Sequence, residues 1–166
     1  MIYLAGPFFN RIQVNHAMRM IALCKENGIS YYAPIEHQEP DFGTPNMVKI
    51  FQDNIIGLLD SSIVLAQLDY PLPANWRLLA HKIGTYPQDV SLPDVGTVWE
   101  MGFAFAKGKS IVGYWLTEPV SKVNLMLAKC CIGILSGIIN VAKFLTTNKH
   151  GALNWTAVID YKGEMK

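Results

Sequence analysis

Two carboxylates in the segment 94–102, whose sequence is DVGTVWEMG, are the residues best suited to chemistry. Asp94 is a good N-cap, so a helix is predicted from about Val95 to Ala106, where Gly108 stops it. Most of this helix is apolar, and we expect it to be largely buried. A glutamate there is costly without a partner or a task, so Glu100 is either a nucleophile or the partner of a basic side chain. Because the two carboxylates do not share one helix face, they converge only if Asp94 lies on the entering loop.

The start of the chain supplies elements that could face this segment. Residues 2–6 are predicted to form a buried strand, Asn10 to cap a helix, and residues 29–34 to form a second strand. This order indicates a right-handed βαβ unit with parallel strands, whose ligand sites lie at the carboxyl ends of the strands. The loops 6–10 and 34–43 are therefore expected at the functional edge.

Helices and strands continue to alternate further along the chain. The predicted elements are a helix at 47–59 capped by Asn46, strands at 62–68 and 109–115, a helix at 122–135, a short fifth strand at 137–141 and an edge strand at 156–161. The connection from 69 to 93 is far longer than the usual connection of about 2–6 residues and is rich in proline and aromatic residues. We expect it to be a lid or an oligomer contact.

Composition narrows the possible partners. Of the 166 residues, 51% are apolar and 16% are charged, and the net charge is +1. Nothing indicates a nucleic-acid or membrane surface, whereas the apolar excess favours an oligomer. No run of apolar residues is long enough for a transmembrane helix, and the N-terminus does not resemble a signal peptide.

Cysteine and histidine usage argues against a metal. Cys24, Cys130 and Cys131 lack metal-ligand spacing, so we expect buried thiols in a reducing compartment and a cytoplasmic location. The local cluster EHQE at 36–39 has no distant ligands to complete it, and no metal or other cofactor is predicted.

Four motifs, taken together and in order, resemble the nucleoside 2-deoxyribosyltransferase family. They are IYLAGPFF at 2–9, APIEHQ at 33–38, DVGTVWEMG at 94–102 and NLM at 124–126. The resemblance extends from residue 1 to about 127. It implies a flavodoxin-like (Rossmann-like) α/β sandwich, with a mainly parallel five-stranded sheet and helices on both faces. The length of the chain indicates a single domain over 1–166, and the insert at 69–93 is unusual for the family.

The resemblance implies transfer of 2-deoxyribose between nucleobases through a covalent glycosyl-enzyme. Glu100 matches the nucleophile, Asp94 the carboxylate that helps to hold the sugar, and Tyr3 the tyrosine that positions the nucleophile. Gln38 matches a residue that hydrogen-bonds the base. The other predicted substrate-binding residues are Gly6, Phe8, Phe9, Asp53, Asn54, Gly96, Asn124 and Met126.

Two of the matched regions carry further implications. Asn124 and Met126 match residues contributed to a neighbouring subunit's site, which implies a homo-oligomer, dimer or hexamer, with shared active sites. Many members place an Asp on the third helix to exchange a proton with the base. Here that position is Asn54, beside Asp53, and an amide can hydrogen-bond but not transfer a proton at neutral pH. The route of the base proton is therefore open.

Other functions fit the same residues. An N-glycosidase would use the same nucleophile but pass the sugar to water, acting on a nucleoside or a deoxynucleotide. The first loop is apolar apart from Arg11, which favours an unphosphorylated deoxyribonucleoside and a free nucleobase as substrates. A non-catalytic nucleotide-binding module is the third possibility, and the presence of both Asp94 and Glu100 argues against it.

Overall fold

A five-stranded parallel sheet organises the computed structural model, which describes residues 1–37, 46–69, 90–91, 93–116, 122–147 and 164–165. Its strands are β1 (Ile2–Ala5), β2 (Tyr31–Tyr32), β3 (Ile63–Gln67), β5 (Ser110–Trp115) and β7 (Gly133–Ser136), in the spatial order β2-β1-β3-β5-β7. A second, smaller parallel sheet is formed by β4 (Val90–Ser91), β6 (Lys122–Val123) and β8 (Glu164–Met165).

Five α-helices connect these strands in the described part of the chain. They are α1 (Arg11–Glu26), α2 (Met47–Asp60), α3 (Val95–Ala106), α4 (Leu125–Cys130) and α5 (Gly137–Thr147), and a short 3-10 helix spans Pro34–His37. The first four helices begin at an Asn or Asp whose side chain accepts a backbone N–H bond, which satisfies an otherwise unpaired donor. These caps are Asn10, Asn46, Asp94 and Asn124. The caps predicted at the first three positions are confirmed. None of the described helices is both long and apolar enough to cross a bilayer.

The helices cover both faces of the sheet. On one face, α1 and α5 bury residues such as Met20 and Phe144 against β1, β3 and β5. On the other face, α2, α3 and α4 pack over Tyr3 and its neighbours, with Leu58 and Met101 buried. This three-layer arrangement confirms the predicted flavodoxin-like α/β sandwich with helices on both faces.

The predictions fail mainly where short apolar runs follow each other closely. The fifth strand expected at 137–141 is wrong, because β7 lies earlier and Gly137, with φ 77°, marks its junction with α5. The helix expected at 122–135 holds only for α4, since Cys131 has extended backbone angles. The strand expected at 29–34 shortens to β2. Periodicity alone does not separate a short buried strand from a helix segment in such runs. The edge strand expected at 156–161 and most of the insert lie outside the described residues.

Helix α3 is much less buried than its composition predicted. Thr97, Met101 and Ala104 are its buried residues, whereas Val95 is 83% and Phe105 60% exposed in the single chain. The prediction of a largely buried helix is wrong for the single chain, because α3 packs on the sheet through one stripe only.

The three cysteines are free thiols, and the expectation that all three are buried is wrong. Only Cys24 is buried, while Cys130 and Cys131 are partly buried at the end of α4.

Candidate active site

The carboxyl ends of β1 and β3 are where the strand order reverses, and sheets of this type bind ligands at that point. The loop after β1 carries Gly6, Phe8 and Phe9. A Cβ on Gly6 would lie 3.2 Å from Gln67 Oε1, so glycine lets this loop approach β3 closely. The Phe8 and Phe9 rings stack with centroids 5.6 Å apart, and Phe9 is 68% exposed. The loop therefore presents an aromatic surface at this edge.

A tyrosine and a glutamate meet beneath that edge. The hydroxyl of Tyr3, on β1, donates a 2.6 Å hydrogen bond to Glu100 Oε1, on α3, across 97 positions of sequence. Tyr3 is completely buried, and burial together with the neighbouring Glu100 charge holds the pKa of its hydroxyl far above the usual range. The hydroxyl therefore remains a donor at any physiological pH.

Glu100 itself has an unusual environment for a carboxylate. Burial raises its pKa to about 7, the hydrogen bond from Tyr3 opposes that rise, and the negative charge of Asp94 adds to it. A carboxyl group with a pKa near neutrality on a partly buried helix is typical of functional sites. The alternative that Glu100 pairs with a basic side chain is wrong among the described residues, since its bonding partner is a phenol.

Asp94 lies on the loop entering α3, which brings the two carboxylates together as the sequence required. Its backbone angles (φ −59°, ψ 144°) are not helical, and its Oδ2 accepts a 3.1 Å bond from the N–H of Thr97. A Cβ on Gly96 would lie 2.9 Å from the same Oδ2. Gly96 thus gives room for the capping carboxylate, which adds negative charge near Glu100.

Three aromatic rings extend from Glu100 toward the edge strand. Tyr32, paired in register with Tyr3, stacks on it with centroids 5.4 Å apart and planes 10° apart. His37 in turn stacks on Tyr32 with centroids 4.2 Å apart and planes 3° apart. We call Tyr3, Tyr32 and His37 the ring column. Sequence reasoning assigned no role to Tyr32 or His37, although β-strand register and the nearness of Gln38 could have indicated both.

Helix α2 contacts the same column. The Tyr32 hydroxyl donates to Asn54 Oδ1 at 3.2 Å, and burial followed by the charges of Asp53 and Glu100 raises the pKa of Tyr32 to about 12. Asp53 instead pairs with Lys49 at 3.1 Å, one turn earlier. A Cβ on Gly57 would lie 2.6 Å from the Tyr32 ring, so α2 can approach the ring only because residue 57 is glycine.

The two residues that were expected to enter a neighbouring subunit's site, Asn124 and Met126, do not contact Tyr3 or Glu100 in the described part of the chain. Asn124 caps α4, where its Oδ1 accepts a 2.9 Å bond from the N–H of Met126. Met126 is 77% exposed and lines an open apolar groove of about 280 Å³ between α3 and α4, with Val98, Met101 and Phe105. The described contacts do not join either residue to Glu100 of the same chain.

Two further predictions concern Gln38 and the absence of a metal site. Gln38 lies outside the described residues. In the part of the chain that is described, no group of three or more His, Cys, Asp or Glu side chains could hold a metal ion.

The parallel sheet, with a perturbed carboxylate under its carboxyl edge, defines a flavodoxin-like α/β protein with a candidate site for nucleophilic chemistry. A family model described as nucleoside 2-deoxyribosyltransferase matches residues 2–129. The chain belongs to the nucleoside 2-deoxyribosyltransferase family, which confirms the resemblance carried by the four motifs.

Two solved structures are similar over most of the chain. The 2-deoxyribosyltransferase of the psychrotolerant bacterium Bacillus psychrosaccharolyticus is 21% identical, with a TM-score of 0.63 and 96% of each chain covered. A conserved protein from Enterococcus faecalis V583 is 18% identical, with a TM-score of 0.65 and coverage of 89% of this chain and 97% of that one. At these identities the likeness shows the fold. No curated protein sequence is significantly similar to this chain.

Proposed function

We propose that this protein transfers 2-deoxyribose from one nucleobase to another through a covalent intermediate on Glu100. The observation that carries the proposal is the 2.6 Å bond from the buried Tyr3 hydroxyl to a carboxyl group of raised pKa. That contact fixes one carboxylate oxygen and leaves the other oxygen to attack. Family membership over residues 2–129 supports the same chemistry.

The reaction needs a carboxylate held at one face of the sugar. Departure of the base leaves positive charge at C1′, which a nearby carboxylate stabilises before bonding to it, as in retaining glycosidases. A second base then attacks C1′ and displaces the carboxylate. Because the attacking form of Glu100 is ionised, Tyr3 supports catalysis by favouring that form over the neutral acid.

The remaining site residues divide between the sugar and the base. Asp94 holds the sugar hydroxyls while it caps α3, and Gly96 gives it the room to do so. The aromatic loop with Phe8 and Phe9 packs on the nucleoside, because aromatic faces stack on any base. Gly6 lets that loop lie close to β3. We assign Gln38 to the edge of the base, since an amide both donates and accepts hydrogen bonds.

The sites are shared between subunits in this proposal. Met126 and Leu125 are 77% and 43% exposed on a helix without a buried residue, and Val95 and Phe105 expose apolar surface on α3 beside it. Apolar area of this kind is favourably covered by a second copy. Asn124 and Met126 then enter the neighbouring site, where the amide contacts the sugar and the thioether the base.

One assay tests the proposal. Thymidine is incubated with adenine, and separately alone, and the products are separated by chromatography. Formation of deoxyadenosine supports transfer, whereas free thymine alone would indicate an N-glycosidase and no product a binding module. After a quench of the reaction with thymidine alone, the peptide containing Glu100 should carry one deoxyribosyl group by mass spectrometry.

The matched control is Glu26→Gln, which changes an exposed carboxylate at the end of α1. It should retain full activity. Glu100→Gln should lose activity by several orders of magnitude with an unchanged circular dichroism spectrum. A Glu100→Ala protein of near-normal rate would overturn the covalent mechanism.

A further inference from the structure

The imidazole of His37 forms the outer end of the ring column, whose inner end bonds to Glu100. From the centroid separations, the imidazole lies within about 10 Å of the Tyr3 ring. In the arrangement proposed below, the sugar lies at Glu100 and the base extends along the column toward the imidazole. Stacking on Tyr32 covers one face of the imidazole and does not involve its two nitrogens. His37 is exposed, and no hydrogen bond or ion pair among the described residues involves it.

A leaving base must gain a proton on a ring nitrogen, and the other described groups near the column do not suit that task. Tyr3 and Tyr32 hold their protons too tightly, because burial raises the pKa of each. Asp53 is paired with Lys49, and Asn54 carries an amide that cannot transfer a proton.

Glu36, the charged residue next to His37 in the described part of the chain, is also engaged. Glu36 accepts bonds from Lys25 at 3.0 Å and from the Tyr31 hydroxyl at 3.2 Å. Histidine is the side chain that exchanges protons most readily near neutral pH. The column therefore ends in a side chain of the required chemistry that the described contacts leave unused.

We propose that His37 is the general acid and base for the nucleobase. This inference rests on the proposed function and assigns the proton step within it. The imidazolium N–H gives its proton to a ring nitrogen of the base as the C1′–N bond breaks. The bonding electrons stay on the departing nitrogen, and an oxygen of the Glu100 carboxylate bonds to C1′. The neutral imidazole then takes the proton from the N–H of the incoming base, as that base attacks C1′ and the carboxylate leaves.

In this arrangement Tyr32 and Asn54 are positioning residues. The Tyr32 ring fixes the plane of the imidazole, and Asn54 fixes the Tyr32 hydroxyl through the 3.2 Å bond. The amide on α2 thus acts on the base through the column.

The test compares two substrates that differ in their need for a proton. 2′-Deoxyguanosine requires protonation as its base leaves, whereas 7-methyl-2′-deoxyguanosine already carries a positive charge and releases a neutral base unaided. We expect His37→Gln to lower the rate of base release from 2′-deoxyguanosine about 100-fold or more and to change release from the methylated nucleoside less than about threefold. His37→Phe keeps the stack and removes both nitrogens. It should therefore show the same difference in rate loss between the two nucleosides.

Glu36→Gln is the matched control, because it removes a charge from the same turn, and its exposed pair with Lys25 contributes little. It should leave both rates unchanged. An equal loss on both substrates in the His37 variants would overturn the proposal in favour of a purely structural role, and full activity on 2′-deoxyguanosine would also overturn it. Failure of the proposed function differs from these outcomes. The parent protein would then release neither base above the spontaneous rate, or would release base without forming a new nucleoside when adenine is present.

Discussion

Replacing Glu100 with glutamine should stabilise the protein while it abolishes activity. The pKa of this carboxyl is raised from 4.5 to about 7 in the folded chain, chiefly by burial. Between these two values the folded state binds more protons than the unfolded state, so the free energy of unfolding falls as pH rises. Above pH 7 the ionised group reduces that free energy by about 3 kcal/mol, at about 1.4 kcal/mol for each pKa unit.

A glutamine at position 100 removes the buried charge but keeps an acceptor for the Tyr3 hydroxyl. The bond to a neutral amide is weaker than the bond to a carboxylate, which offsets part of the gain. We therefore expect Glu100→Gln to raise the free energy of unfolding by about 1–3 kcal/mol at pH 8. In a domain of this size the melting temperature should rise by about 2–10 °C.

Denaturant unfolding of both proteins at pH 5, 6, 7 and 8 measures the effect. The advantage of Glu100→Gln should be small at pH 5, where the parent carboxyl is largely protonated when folded, and should reach its full value above pH 7. For the Glu26→Gln control, the difference in free energy of unfolding from the parent should not increase with pH. An advantage that does not change with pH, or a Glu100→Gln protein no more stable than the parent at pH 8, would refute the assignment of a raised pKa.

Three further predictions concern the same site. Tyr3→Phe removes the hydrogen bond that favours ionised Glu100, so the acidic limb of the kcat/KM profile should move to higher pH and the maximal rate should fall. An acidic limb that does not move would argue against a role for this hydrogen bond. Asp94→Asn keeps a capping side chain but removes a negative charge, so the same limb should move to lower pH, while circular dichroism confirms the fold. Mixing inactive Glu100→Ala with inactive Asn124→Ala should restore part of the activity through mixed oligomers, and a mixture that remains inactive would argue against shared sites.

Local signals in the sequence were sufficient for much of the fold. The caps at Asn10, Asn46 and Asp94 were recognisable because Asn and Asp side chains satisfy free N–H groups at helix starts. The positive φ of Gly28 and Gly108 similarly marks chain reversals after α1 and α3. The region from 131 to 141 was misread, because consecutive apolar residues suit a strand and a helix equally well.

The site was predictable only in its parts. Glu100 stood out as an acid in an apolar helix, and Asp94 as its cap, but their convergence depended on the conformation of one loop residue. Tyr32 and His37 gave no such signal, since their stacking depends on the register between β1 and β2 and on the turn after β2. The exposure of Val95 on α3 was equally unpredictable, because composition does not show whether apolar surface is covered by the same chain or by another.

In the proposed reaction, the close approach of α2 to Tyr32 affects which nucleobase the site accepts. Gly57 carries no group that could touch a nucleoside, yet any Cβ there would overlap the Tyr32 ring, 2.6 Å away. An alanine must therefore move the helix outward or tilt the ring, and Asn54 moves with the helix because it lies one turn earlier. A substitution at the buried Gly57 could then change substrate selectivity by changing the distance between α2 and the Tyr32 ring. A library restricted to residues that touch the ligand would never sample that position.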